Sequence, residues 1–226
     1  MRAMILAAGR GERMRPLTDS TPKPLLKAAG KSLIERTIEQ LVFAGFKELV
    51  INHAYLGYQI ETELGNGSRF GAQIIYSHEG ETGLETAGGI IHALPLMNDG
   101  EPFLVVNGDI ATDFPFVELK NKSFDLAHLV LVPNPPHHPK GDFHIDENFV
   151  LSFGKIERFT FSGIGLYSPE FFLNAPKNST KLAPLLRDAM LKQRVSGQIF
   201  DGFWMDIGTP ERLQDLENYY LEKEMN

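Results

Sequence analysis

The chain has 226 residues, 42% of them hydrophobic, with no cysteine, 22 Lys and Arg against 29 Asp and Glu, and a formal charge of −7. That length and apolar content can bury a substantial core in one domain, while the missing cysteines exclude disulfides, thiolate metal sites and cysteine nucleophiles. The acidic balance speaks against a nucleic-acid partner, and no apolar stretch approaches the roughly 18 residues of a membrane span; with no cleavable signal pattern either, a cytoplasmic, soluble chain is expected.

Met4, Ile5, Leu6 and Ala7 form a short buried strand that runs into a loop turned by Gly9 and Gly11. Between Arg10 and Lys27 the cations Arg10, Arg13, Arg15, Lys23 and Lys27 face only Glu12 and Asp19, a local excess of +3 in an acidic chain. Exposed loop amides beside such cations suit phosphate oxygens. A solvated basic loop is the plainer alternative. The loop is not a dinucleotide fingerprint, because Met14 stands where GxGxxG needs its last glycine. Gly30-Lys31-Ser32 imitates the end of a P-loop, but the earlier glycine would fall at Leu25.

Further on, Leu33, Ile34, Thr37, Ile38, Leu41 and Val42 recur at helical spacing behind Ser32 as a cap, with Gly45 just past the end. Strands are expected over 48–52, 72–76, 103–107 and 127–132, and helices over 55–64 and 86–94. Asp113 is expected to cap a short helix with Pro115 in its first turn. The proline-rich stretch 133–140, with His137 and His138, reads as a rim loop. Segments 143–145, 150–153 and 159–167 suggest a smaller antiparallel layer. A helix over 181–192, strands over 195–200 and 203–206, and a closing helix over 209–222 complete the chain.

Alternating strands and helices predict an α/β fold, a Rossmann-like, doubly wound and mostly parallel sheet carrying that antiparallel layer. If the second and third strands wind outward on one side of the first and the fourth returns to its other side, a crevice opens between strands one and four. The cationic loop and Asp109 would meet there.

The string Gly9-Arg10-Gly11-Glu12-Arg13, then Pro16-Leu17-Thr18 and Thr21-Pro22-Lys23-Pro24-Leu25, resembles the signature loop of the sugar-1-phosphate nucleotidyltransferases. Leu84-Glu85-Thr86-Ala87-Gly88-Gly89, Asn107-Gly108-Asp109 and Trp204-Met205-Asp206-Ile207-Gly208-Thr209-Pro210 match other family blocks in order, over nearly the whole chain. Within the family the chain is most similar to the bacterial N-acetylmuramate-1-phosphate uridylyltransferases of cell-wall recycling. Ile51-Asn52-His53-Ala54, Ala127-His128-Leu129-Val130-Leu131-Val132, His137-His138, Gly141-Asp142-Phe143 and Lys181-Leu182-Ala183-Pro184-Leu185-Leu186-Arg187 carry that narrower likeness.

The resemblance implies transfer of UMP from UTP to a sugar 1-phosphate with Mg²⁺, in a nucleotide-binding half of about residues 1–110 and sugar-binding and closing elements of about 111–226. Arg13 matches the arginine on the triphosphate, Lys23 the lysine at the α-phosphate, and Asp109 and Asp206 the paired metal carboxylates, with Arg13, Lys23 and Asp109 the catalytic set. Ala7, Ala8, Gly9, Gly11 and Glu12 belong to the nucleotide loop, and the backbone amides of Ala7, Ala8 and Gly9 would face the base. Glu79, Gly83 and Gly88 fall in the segment that would read the base, with Glu79 as the side chain. Asn107, Gly141, Asp142, Ser162 and Gly163 would hold the sugar. The family's Glu-Lys-Pro block is replaced by Lys155-Ile156-Glu157, which leaves Lys155, Arg158, Lys140 and Lys181 as candidates for the sugar phosphate. His137 and His138 read as loop residues, and Trp204 as packing that fixes Asp206. A monomer is expected. Mannose- or glucose-1-phosphate transfer is the nearest alternative, and a regulatory sugar-nucleotide sensor the alternative of another class.

Overall fold

A computed structural model describes residues 1–97, 100–154, 157–176 and 178–225. Strand β1 (Ala3–Leu6) leads into the glycine-rich loop, which winds through single 3-10 turns at Glu12–Met14, Leu17–Asp19 and Lys23–Leu25. A hairpin of β2 (Lys27–Ala28) and β3 (Lys31–Ser32) turns on Ala29 and Gly30, both at positive φ. Gly30-Lys31-Ser32 is therefore a hairpin corner.

Helix α1 (Leu33–Phe43) starts where Ser32 and Glu35 satisfy each other's backbone amides, a capping box, and it buries Leu33, Ile34, Thr37, Ile38 and Leu41. Then come β4 (Glu48–His53), α2 (Gly57–Leu64), β5 (Gln73–His78), α3 (Glu85–Met97), β6 (Phe103–Asn107) and β7 (Ile110–Thr112). Helix α2 starts two residues later than its pattern suggests, because Leu56 takes a left-handed conformation. Asp113 makes no cap: Pro115 holds the N-cap position of the 3-10 turn Phe116–Leu119, and Thr112 Oγ1 accepts the Phe114 amide instead.

The remainder comprises β8 (Ala127–Val132), β9 (Phe143–Asp146), β10 (Phe149–Leu151), β11 (Arg158–Tyr167), α4 (Pro169–Leu173), α5 (Leu182–Leu191), β12 (Val195–Ile199), β13 (Trp204–Asp206) and α6 (Pro210–Met225). Nine strands form one sheet in the order β5-β4-β1-β6-β11-β8-β12-β10-β9. Its first four are parallel, with β1 between β4 and β6, so the strand order reverses beside β1 as the doubly wound pattern predicts. Strand β11 enters antiparallel to both β6 and β8.

The antiparallel segments are not a separate layer. They continue the main sheet, and because β9 pairs with β11 as well as with β10, the last five strands close on themselves. A register shift in β11 between Phe161 and Ile164 allows this, since a bulge bends its strand. Ser162 holds the bulge by donating to Val130 O at 2.7 Å and accepting the Ile164 amide at 3.2 Å.

Parallel strands buried on both faces explain the unbroken apolar run of β1. Met4 joins the core under α3 and α5, whereas Ile5 joins the core under α1. A third cluster of Met14, Leu26, Leu33, Ile207 and Leu216 fastens the glycine-rich loop to β13 and α6. Among the described residues no helix is long and apolar enough to cross a membrane.

Candidate active site

Where β1 and β6 part at their C-terminal ends, a cleft of about 490 Å³ opens. Its walls are the glycine-rich loop, Asn52 and Glu79 beyond β4 and β5, Asn107 to Asp109 after β6, and Gly208 after β13.

The loop's shape follows from Gly11. Its φ is +70°, and an added Cβ would fall 2.9 Å from Thr18 Cγ2, while Thr18 Oγ1 donates to Gly11 O at 2.8 Å. Arg10 turns back on the loop, donating to Thr18 O at 2.7 Å and lying 3.7 Å over the Tyr55 ring. Arg15 pairs with Glu12 at 3.3 Å and with Asp19 at 3.2 Å. Both loop carboxylates are thus engaged by structural arginines, Glu12 included. Arg13 is exposed and has no ion-pair partner among the described residues. Lys23, stiffened between Pro22 and Pro24, has a side chain only 10% exposed and donates to Asp109 Oδ2.

On the opposite wall, the Ala7 amide donates to Asn52 Oδ1 at 2.9 Å, and Asn52 Nδ2 donates to Glu79 Oε1 at 2.6 Å. The second Glu79 oxygen accepts the Leu84 amide at 2.6 Å. Glu79 therefore orders the segment into α3, and of the three expected base-facing amides Ala7 is already engaged. Ala8 and Gly9 have no backbone partner among the described residues. Gly83 backs onto Ala8 O, where a Cβ would come within 3.0 Å. Gly88 lies off the cleft: its amide donates to Thr180 O at 3.1 Å, and its missing Cβ makes room for Thr180 and Leu84.

Asp206 faces Ile110 across the β7–β13 ladder, and the Ile207 amide donates to Asp109 O at 2.7 Å, so adjacent backbones bring both predicted metal carboxylates to one edge. Both Asp206 oxygens accept from Arg212 Nη1, at 2.6 and 2.7 Å, and His137 Nε2 lies 2.8 Å from Asp206 Oδ1. His137 is accordingly more than a loop residue. Trp204 is half-buried and donates to Ser162 O at 2.9 Å.

Of the expected sugar contacts, Asn107 lines the cleft, and Gly163 makes room for it: a Cβ there would sit 2.5 Å from Asn107 Nδ2. The others serve the framework. Ser162 is buried in the bulge, Asp142 accepts the Phe161 amide at 2.9 Å and meets His138 at 3.1 Å, and Gly141 packs on Asn134 and Arg158. Lys155 and Ile156 lie outside the described residues. Arg158 is turned to His144 at 3.2 Å, and none of Lys140, Arg158 and Lys181 lines the cleft.

Sequence reasoning missed Asn52, which lines the cleft, and Arg212, which clasps Asp206. Asn52 sits at the C-terminal end of β4 in the Ile51-Asn52-His53-Ala54 segment, and Arg212 follows two residues after the Trp204 to Pro210 block. Among the described residues no cluster of three or more acids and histidines forms a metal cage. Two carboxylates at one edge, hard oxygen donors, would suit a hard divalent cation.

A Rossmann-like sheet with this cleft at its topological switch point is matched by the sequence profile of the Nucleotidyl transferase family over residues 2–223, and the chain belongs to that family. It is 54% identical over 225 residues to a Neisseria meningitidis serogroup B protein named N-acetylmuramate alpha-1-phosphate uridylyltransferase, covering 96% of this chain and 97% of that one. A Caulobacter vibrioides protein of the same name is 32% identical over 224 residues, 92% of each chain. A solved Bacillus anthracis structure, named as a candidate glucose-1-phosphate thymidylyltransferase, superposes with a TM-score of 0.83 at 21% identity, over 97% of this chain and 94% of that one, and shares the fold.

Proposed function

We propose that the chain transfers UMP from UTP to N-acetylmuramate 1-phosphate, releasing pyrophosphate and forming UDP-N-acetylmuramate for peptidoglycan recycling, as a cytoplasmic enzyme using Mg²⁺. The observation that carries this reading is the meeting of Arg13, Lys23 and Asp109 in one cleft. Joining two anions needs cations and alignment more than a nucleophile, and that is what this cleft offers. The near full-length likeness to a protein named for that activity supports the choice of base and sugar.

In the reaction an oxygen of the sugar 1-phosphate attacks the α-phosphorus of UTP. A phosphorus–oxygen bond forms as the bond to the oxygen bridging the α- and β-phosphates breaks, and pyrophosphate leaves with the electron pair. Lys23 turns its ammonium from Asp109, its partner in the free protein, to the α-phosphate. Arg13 spans phosphoryl oxygens with its planar fork and balances charge on the departing pyrophosphate. Asp109 and Asp206 would hold the divalent cation, which when bound would supply Lewis-acid charge. The amides of Ala8 and Gly9 face the base, Glu79 holds the segment that covers it, and Asn107 stands at the sugar side.

Pyrophosphate release with Mg²⁺ across UTP, dTTP, ATP and GTP against N-acetylmuramate, N-acetylglucosamine, glucose and mannose 1-phosphates tests this. The expected preference is UTP with the muramyl phosphate. Preference for another pair replaces the substrates, and nucleotide binding without turnover replaces the enzyme with a sensor.

A further inference from the structure

Arg212 stands in the first turn of α6 with a side chain 13% exposed, against the second carboxylate. Its Nη1 clasps both oxygens of Asp206. Its Nη2 lies 2.3 Å from the point a Cβ on Gly208 would occupy, and Arg13 Nη2 lies 3.0 Å from that same point. Gly208 lines the cleft, and its missing side chain is the space that the two guanidiniums share. One is compensated by Asp206; the other has no ion-pair partner among the described residues. Two like charges crowded at one point repel, and an anion between them removes the repulsion.

Resting on the function proposed above, we propose that Arg212 is an exchangeable counter-ion. In the free protein it neutralises Asp206. When a divalent cation takes that carboxylate, Arg212 is released from it and joins Arg13 over Gly208 to bind phosphoryl oxygens. Lys140, Arg158 and Lys181 do not line the cleft, so they do not compete for this place. A guanidinium suits the exchange because it stays charged in either partnership and can chelate two oxygens of either. The shared ligand chemistry is a phosphoryl group, from either the triphosphate or the sugar phosphate.

The test uses the full chain as wild type, Arg212→Gln and Arg212→Lys, each first checked for a cooperative thermal transition. Mn²⁺ is titrated without nucleotide, free Mn²⁺ being followed by its paramagnetic resonance signal. Losing the competing cation is expected to tighten Mn²⁺ binding in Arg212→Gln about tenfold. With Mn²⁺ saturating, pyrophosphate and N-acetylmuramate 1-phosphate are then titrated calorimetrically. At least one is expected to weaken about tenfold or more in Arg212→Gln, with Arg212→Lys between it and wild type. Weakening of pyrophosphate alone names the triphosphate as the source of the oxygens, and weakening of the sugar phosphate alone names the acceptor.

Equal Mn²⁺ affinity in wild type and Arg212→Gln overturns the proposal, as does unchanged affinity for both anions. If Arg212→Gln does not fold, Arg212→Lys carries the anion titrations, and wild-type affinity for both then overturns it. Neither titration requires turnover. Wild-type turnover with unchanged titrations therefore sinks this inference alone, whereas absent turnover with shifted titrations sinks the proposed reaction alone.

Discussion

Glu79 accepts a hydrogen bond from the Asn52 carboxamide nitrogen at 2.6 Å, and that contact decides which end of Asn52 faces the Ala7 amide. A carboxylate can only accept, so Asn52 must give it the nitrogen and turn its oxygen to Ala7. The pair is nearly sealed from water, at 3% and 8% exposure.

Glu79→Gln should therefore disturb the cleft wall. Glutamine has one acceptor oxygen where Glu79 meets two donors, Asn52 and the Leu84 amide. A loss of about 1–3 kcal/mol in unfolding free energy is expected from the mismatched buried donor. Urea denaturation measures it, and a rise in the UTP KM larger than any fall in kcat would mark the loosened segment.

Lys23→Met and Asp109→Asn should each lower kcat/KM about 100-fold or more, on the order of 3 kcal/mol of transition-state stabilisation. The two partners differ in their structural consequences. Lys23 is buried, and Asp109 is its ion-pair partner. Asp109→Ala is expected to lower the melting temperature further than Asp109→Asn, which retains an acceptor for the ammonium. Wild-type turnover in either conservative variant would remove these residues from the reaction.

Gly11→Ala places a methyl group against Thr18 Cγ2 at a φ of +70°. The substitution should cost about 1–3 kcal/mol and also slow catalysis, since the strained loop carries Arg13. Gly9→Ala, with nothing within 4 Å of its added Cβ, is the control. Equal melting temperatures for the two variants would contradict this account of the loop.

Burial pushes His128 down to about 4, against a hydrogen bond from its ring to Gln198 that raises it, and with nearby Lys122 adding to the fall. The ring meets Ser196 Oγ at 2.8 Å and Gln198 Oε1 at 3.1 Å; Lys122 donates to that same oxygen at 3.0 Å, and Gln198 Nε2 donates to Glu118 at 3.2 Å. With the folded value below the unfolded one of about 6.5, the unfolded chain binds more protons between them. Stability is thus full above about pH 6.5 and declines as pH falls towards 4, by about 3 kcal/mol at most. His128→Gln should flatten that part of the stability profile relative to wild type, as urea midpoints at pH 4.5 and 7.5 would show.

The chemistry written in contiguous residues was legible. Ser32 and Glu35 announce the start of α1, and the capping box is there because both partners lie within one turn. Gly9, Gly11 and the cations around them announced a glycine-turned cationic loop, and that loop forms one wall of the cleft. The expected strand order also placed that loop beside Asp109. Asp113, by contrast, reads as a cap yet makes none, because the turn starts two residues later, with Pro115 at its N-cap position.

The glycines show where local pattern stops. Gly88 and Gly163 look alike as sequence, but one seats Thr180 away from the cleft and the other admits Asn107 at its edge. Which neighbour fills the space of an absent Cβ is a matter of packing between distant segments, and no periodicity encodes it.

By itself the sequence determined the parallel half of the sheet, through its hydrophobic periodicities and turn residues, and the cationic loop, through its composition. Only the tertiary structure decided that the antiparallel strands curl round to close on β11, that Glu79 is engaged by Asn52, and that Asp206 is held by Arg212 and His137. The physical reason is separation along the chain. Local patterns constrain residues a turn or a strand apart, whereas Lys23 meets Asp109 across 86 positions and Arg212 meets His137 across 75. Such contacts exist only once the whole core has packed.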